Sequence, residues 1–283
     1  MSEPRISVDL DGVPETLLWP LYCRTEESCR PDALLSDPKA EQVRRMLDYP
    51  FDRNFGRPHP VFGLRALCFD AEIRRYVATH PNATIVALGE GLETQFWRVD
   101  NGRLRWLSVD LPETVQLRRR LLPDEDRRRS VSCSALDPAW MDEVDASDGL
   151  FITALGLFMY LPGEQVLETI VRCAARFPGA KLMFDAMPKW LTSDGPEGTW
   201  LSTLLMRGRD ADNYRLPPMV WGIGLDELRD RLQRDRNIAE VADIKLPAGR
   251  GPVFGYLNPI FGSVPGVRNL RPSQVLVTFS AES

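Results

Sequence analysis

A glycine pair set between an apolar run and a helical stretch constrains the fold of this chain more than any other feature. Ala83-Thr84-Ile85-Val86-Ala87-Leu88 is short and continuously apolar, the pattern of a strand covered on both faces in a parallel sheet. It runs directly into Gly89-Glu90-Gly91-Leu92-Glu93-Thr94, and residues 93–99 read as a helix. Glycines at such a turn have no Cβ, so a ligand can approach the backbone closely. The helix that follows offers free N–H groups at its start. A lone GxG is a weak signal, but this strand-to-helix context strengthens it.

Similar apolar runs follow at residues 104–109, 130–133, 149–154 and 180–185, with helical stretches at 112–122 and 163–176. Strands alternating with helices predict βαβ units and a parallel sheet with right-handed crossovers, an α/β Rossmann-like core. Two more strands, near 238–245 and 274–280, and a helix at 225–234 complete it. Before the core, residues 1–15 read as a loose arm. Residues 16–80 look helical, with helix starts at Asp32 and at Ser36-Asp37-Pro38, a Gly/Pro-rich break at 51–60, and a helix at 63–79 that leads into the core. The division that follows is an N-terminal helical cap over 1–80 and a core over 81–283. Residues 186–222 are too long for a simple connection and rich in aromatics, which predicts a lid or substrate-lining insertion. A second Gly/Pro-rich excursion spans 247–272.

Composition narrows the function classes. Apolar residues make up 43% and charged residues 27%, ordinary for a globular protein and wrong for disorder. The net charge of −5, and an acidic Asp124-Glu125-Asp126 between Arg118-Arg119-Arg120 and Arg127-Arg128-Arg129, favour a solvated helix face and loop over a nucleic-acid patch. Cys23, Cys29, Cys68, Cys133 and Cys173 are odd in number and contain no CxxC. They make neither a disulfide framework nor a zinc site, and they favour a reducing cytoplasm. No run approaches the length of a membrane span, and no residue set predicts a metal.

Asp110 ends the second apolar run, Arg105-Trp106-Leu107-Ser108-Val109. An acid about 20 positions past the glycine turn, at the tip of the next strand, is where Rossmann-type folds hold ribose hydroxyls. A helix N-cap before Leu111-Pro112 is the competing role. The two features alone admit a dinucleotide or S-adenosylmethionine. Thr94 stands where a dinucleotide fingerprint wants a third Gly or Ala, and that departure favours the methyl donor.

With the motifs at 85–99 and 106–112, Met159-Tyr160-Leu161-Pro162 resembles the leucine carboxyl methyltransferase superfamily. Three further segments resemble its bacterial branch of polyketide-type O-methyltransferases: 89–98, Phe184-Asp185-Ala186-Met187-Pro188-Lys189-Trp190, and Pro217-Pro218-Met219-Val220-Trp221-Gly222. The resemblance runs from about residue 17 to the end. It implies the class I methyltransferase fold, a mostly parallel seven-stranded sheet with its last strand antiparallel, and S-adenosylmethionine as cofactor. It also implies cofactor contacts at Gly89, Glu90, Gly91, Glu93, Asp110 and Leu111, with Ser134 and Ala135 on the adenine side and Leu155 after the fourth strand. Arg65 and Arg24 would take the methionine carboxylate, a pairing that the bidentate guanidinium fork suits. Three positions depart from the family's pattern: Glu93 stands where Asp is common, Ser134 where Asp is common, and Leu155 where Glu or Gln is common.

Methyl transfer from a sulfonium asks mainly for proximity and alignment, and a carboxylate acceptor needs no base while a phenol needs one. Tyr160 is placed to orient donor or acceptor, or to cap the pocket. His59, in Arg57-Pro58-His59-Pro60, is either a base or a structural loop histidine. Trp190, Trp200, Met219 and Trp221 offer flat apolar area for an aromatic acceptor, or simply pack the insertion onto the core. The leading expectation is an O-methyltransferase for a carboxyl or hydroxyl of a small, polyketide-like natural product. The alternatives are a protein carboxyl methyltransferase, a nucleotide-binding regulator or scaffold without catalysis, and a dinucleotide oxidoreductase.

Overall fold

The computed structural model describes residues 5–7, 16–192, 217–251 and 267–281. Its N-terminal part is helical. Helix α1 (Leu18–Ser28), α2 (Pro38–Met46), α3 (Phe51–Phe55) and α4 (Val61–Thr79) follow one another, and a short parallel pair joins β1 (Ile6–Ser7) to β2 (Leu47–Asp48). Helix α2 starts where Asp37 and Pro38 predict: the Asp37 Oδ1 accepts the Ala40 N–H at 3.0 Å, and proline suits the first turn. Asp32 starts no helix; its carboxylate pairs with Arg30 and Arg250 instead. The predicted break at 51–60 contains α3, because Phe51 and Phe55, one helical turn apart, pack against Tyr22. Helix α4 ends at His80, since the residue before Pro81 is pushed out of helical geometry.

The sheet has seven strands in the order β5-β4-β3-β6-β7-β9-β8, with β3 (Thr84–Leu88), β4 (Arg105–Asp110), β5 (Arg128–Ser132), β6 (Leu150–Ala154), β7 (Lys181–Ala186), β8 (Ile238–Ile244) and β9 (Ser273–Phe279). Strands β3 to β7 are parallel and β9 is antiparallel to both neighbours. Every residue of β3 and β6 is buried, as expected of strands covered on both faces. Between them in sequence lie α5 (Gln95–Val99) and α6 (Pro112–Leu121); after β6 and β7 come α7 (Gly163–Arg176) and α8 (Leu225–Leu232). Helix α7 is cleanly amphipathic, with Val166, Leu167, Ile170, Cys173 and Ala174 inward.

Helix α4 packs on one face of the sheet through Phe69, Ile73 and Val77, and α7 and α8 cover the other. Helices α1 to α3 cluster around Trp19, Tyr22 and Phe55 and pack on Leu92 of the turn and on Leu117, Leu121 and Leu122 at the end of α6. Chain order reverses across the β3–β6 pair, so the crevice at their C-terminal ends is the topological switch point, where open α/β sheets bind ligands. Of the 186–222 insertion, residues 193–216, including Trp200, lie outside the described residues.

Candidate active site

A cleft of about 1020 Å³ of atom-free space opens at that switch point. The turn after β3 forms its floor. Gly89 and Gly91 have φ of 59° and 55°, the left-handed region that glycine enters without steric cost. Close approach matters as much as the dihedral. A Cβ on Gly89 would stand 2.7 Å from the Leu157 side chain, and one on Gly91 would stand 3.0 Å from Leu17 Cβ. The entry to α1 and the loop after β6 therefore lie directly on the turn.

Asp110, at the tip of β4, does not line the cleft itself; it sits behind the turn, joined to the lining residue Gly91. Its Oδ2 accepts the Gly91 N–H at 2.7 Å and its Oδ1 accepts the Leu111 N–H at 2.8 Å. Burial pushes this carboxyl above the usual carboxylate range, with the two N–H groups pulling the other way. Leu111 itself is exposed and precedes Pro112, the first residue of α6. Ser134 and Ala135 follow β5, which ends beside Asp110: the Cys133 N–H donates to the Asp110 carbonyl. Ser134 Oγ accepts the Leu136 N–H, and the Ala135 carbonyl accepts Trp140 Nε1. Neither residue lines the cleft.

Arg65 and Arg24 both line the cleft. Arg65 binds Asp185 bidentately, Nε to Oδ1 at 3.0 Å and Nη2 to Oδ2 at 2.7 Å. Its Nη1 has no hydrogen-bond partner among the described residues. Asp185 is buried at the end of β7 and also accepts the Gly156 N–H at 2.7 Å. It orients Arg65 and pins the turn after β6, a role that residue-level reading did not assign although the motif contains it. Arg24 is fully engaged: with Asp37 at 3.3 Å, with Glu93 at 2.7 Å, and with the Leu92 carbonyl at 3.1 Å.

The two acids of the turn face inward. Glu93 takes Arg24 on one oxygen, and Arg98 Nη1 at 2.7 Å and the Thr94 N–H on the other. Burial opposes its ionisation, but Arg24 and Arg98 outweigh burial and hold the carboxyl below the usual range. Glu90 meets Trp106 Nε1, Ser108 Oγ and Arg118. Burial raises its carboxyl above the usual range against the pull of Arg118. Of the basic triplets read as solvated surface, Arg119, Arg120 and Arg129 are exposed and Arg127 is half-buried, but Arg118 and Arg128 are fully buried, a correction to that reading. Arg118 lies on the apolar stripe of α6 with Thr114, Val115 and Leu121, and that placement was its only sequence signal.

The far wall of the cleft is apolar. Met159, Met187 and Met219 are buried together, with Tyr160 and Trp190 packed on them, and Leu155 completes the lining. The segment 219–223 is stitched to this wall by backbone bonds to Met159 and Met187. The Tyr160 hydroxyl has no partner among the described residues, and burial pushes its pKa up to about 12, with Arg65 pulling it down. Trp190 donates its indole N–H to the Leu270 carbonyl. Trp221 is not in the wall. It packs on Gly163 so closely that a Cβ there would fall 2.2 Å from its ring, inside the main core. His59 does not line the cleft either; its Nδ1 accepts the Val61 N–H at the start of α4, and burial lowers its pKa.

Residues 32–174, about half of the chain, match the leucine carboxyl methyltransferase family. The chain belongs to that family. It is 33% identical over 190 residues to the tetracenomycin polyketide synthesis O-methyltransferase TcmP of Streptomyces glaucescens, a match spanning 65% of this chain and 69% of the relative. It is 27% identical over 202 residues to the S-adenosyl-L-methionine-dependent methyltransferase dpfgK of Gibberella zeae, spanning 63% of this chain and 67% of the relative. Among solved structures, a duf574 family protein from Streptomyces avermitilis superposes with a TM-score of 0.53 at 11% identity, covering 91% of this chain and 96% of that one, a likeness of fold. This family member is an S-adenosylmethionine-dependent methyltransferase with the class I fold. No helix among the described residues is long and apolar enough to cross a membrane.

Proposed function

We propose that this methyltransferase modifies a carboxylate, or failing that a hydroxyl, of a small polyketide-like molecule, in the cytoplasm. One observation carries the reading: the glycine turn with its charged flank and the methionine wall with the Tyr160 phenol share one cleft. S-adenosylmethionine supplies a methyl group already activated on a sulfonium, for in-line transfer to an aligned acceptor.

The residues fit such a group. The turn at Gly89 and Gly91 adopts the left-handed backbone that glycine allows and lines the cleft, with Leu157 and Leu17 packed against it. Asp110 would take the ribose hydroxyls with its remaining lone pairs. Arg65, fixed by Asp185 through two nitrogens, keeps Nη1 for the amino-acid carboxylate. Arg24 would act at longer range, through its charge and through its hold on Glu93 and Leu92. Leu17 and Leu157 would exclude water over the turn.

On the acceptor side, Met159, Met187 and Met219 give a polarizable, adaptable surface that suits a flat aromatic body. Tyr160 is held neutral by burial, so it serves as a hydrogen-bond donor and not as a base. A donor phenol in the cleft can hydrogen-bond an anionic acceptor oxygen, which favours a carboxylate. The test is methylation of an aromatic polyketide acid with radiolabelled donor, followed by mild alkali. A carboxyl methyl ester releases the label as methanol; a methyl ether retains it. Label transferred to a peptide C-terminus and to no small acid would overturn the acceptor assignment.

A further inference from the structure

We infer that Arg118 is a positioning residue for cofactor binding, fixing the backbone of the 89–93 turn from inside the protein. Its side chain is fully buried on the apolar stripe of α6, where an unpaired guanidinium is costly and a paired one is demanding in geometry. The pairing is spent on the turn. Nη1 donates to the Gly91 carbonyl at 2.7 Å and to the Glu93 carbonyl at 2.8 Å; Nη2 makes an ion pair with Glu90 Oε1 at 2.8 Å without hydrogen-bond geometry, and Nε has no hydrogen-bond partner among the described residues. Glu90 is held in turn by Trp106 and Ser108 of β4.

Gly91 is thereby gripped at both ends of its residue. Its N–H goes to Asp110 and its carbonyl to Arg118. The guanidinium fixes where the turn sits relative to the proposed ribose acid without itself lining the cleft. Two carbonyls on Nη1 and a carboxylate beside Nη2 are held by one rigid planar group, a placement that a lysine ammonium on a flexible stem does not reproduce. Arg128 supplies the contrast. It is as fully buried as Arg118, but it donates to the Leu122 and Pro123 carbonyls and lies over the Trp97 ring, and its bonds leave the turn untouched.

The inference rests on S-adenosylmethionine occupying this cleft. Its test is calorimetric titration with S-adenosylhomocysteine of wild type, Arg118→Lys, Arg118→Met and Arg128→Met, beside hydrogen exchange of residues 89–95 in the ligand-free proteins and melting curves of all four. Arg118→Lys should weaken binding about tenfold and Arg118→Met more, as expected for losing charged hydrogen bonds, and both should speed exchange over the turn. Arg128→Met should lower the Tm and leave the Kd unchanged. Unaltered affinity in a folded Arg118 variant, or an equal loss of affinity in Arg128→Met, overturns the proposal. So does failure of both Arg118 variants to fold, which would make Arg118 a folding determinant. A wild type that binds no S-adenosylhomocysteine overturns the cofactor assignment itself, whereas a binding wild type beside an unaffected Arg118→Lys removes only the role given to Arg118.

Discussion

Asp110 holds the Gly91 N–H and, in the proposed complex, the ribose as well; substitutions probe the two contacts. Asp110→Asn keeps an acceptor for one of these and loses the charge; Asp110→Ala loses both. Affinity for S-adenosylhomocysteine should fall by about tenfold for Asn and further for Ala, the scale of charged hydrogen bonds, read by calorimetry. Because burial raises this carboxyl above the usual range, its charged form disappears at higher pH than an exposed aspartate's. Cofactor affinity should thus decline as the pH falls through that raised value, while Asp110→Asn should show no such decline. The folding contribution has the opposite sense: a raised carboxyl favours the folded state most below its unfolded pKa, and this is lost as pH rises through the folded value. At Gly91, an alanine would carry φ of 55° and crowd Leu17. Left-handed strain of about 1–2 kcal/mol should lower the Tm, and displacement of the turn should weaken the ligand as well.

At the scale of elements, what joins the N-terminal helices to the turn is a buried set of charges and not apolar contact alone. Asp37 caps α2 and also accepts from Thr94, Arg98 and Arg24. Arg98 reaches on to Asp70 of α4. Removing one member leaves the others uncompensated, so Asp37→Ala should cost about 3–5 kcal/mol of stability by urea unfolding. Glu93 lies below its usual range, so its contribution is present above the unfolded pKa and lost as pH falls through the folded value. Acid unfolding should accordingly begin at higher pH once Arg24 is replaced by methionine. The strands were legible because continuous apolar runs such as β3 and β6 have few other fates in an α/β chain. Asp37-Pro38 was legible because capping is local. Helix α3 was not, since its reason is the packing of Phe51 and Phe55 on Tyr22, contributed by another element. The placement of Arg118, Arg128 and Trp221 was equally hidden: triplets of arginine read as surface until tertiary partners are known, and Trp221 finds room only because residue 163 is glycine.

The whole molecule brings the glycine turn and the methionine wall to one end of the sheet. The order β5-β4-β3-β6-β7-β9-β8 brings the tips of β3, β4, β6 and β7 together, and with them Gly91, Asp110, Leu155 and Asp185. Sequence placed the first three through the glycine turn and the family pattern. Asp185 was within a quoted motif, but its task appears only when β7 and α4 are seen to meet. A ligand that binds the folded chain alone should raise its stability by about 2.7 kcal/mol at a hundredfold excess over Kd, seen as a shift in Tm. The most direct measurement is therefore one calorimetric experiment: the purified chain titrated with S-adenosylhomocysteine, with NAD, and again with S-adenosylhomocysteine after Asp110→Ala. Saturable one-site binding is expected in the first titration, no heat of binding in the second, and strongly weakened binding in the third. Silence in the first, or an Asp110→Ala protein that binds as tightly as wild type, would contradict that expectation.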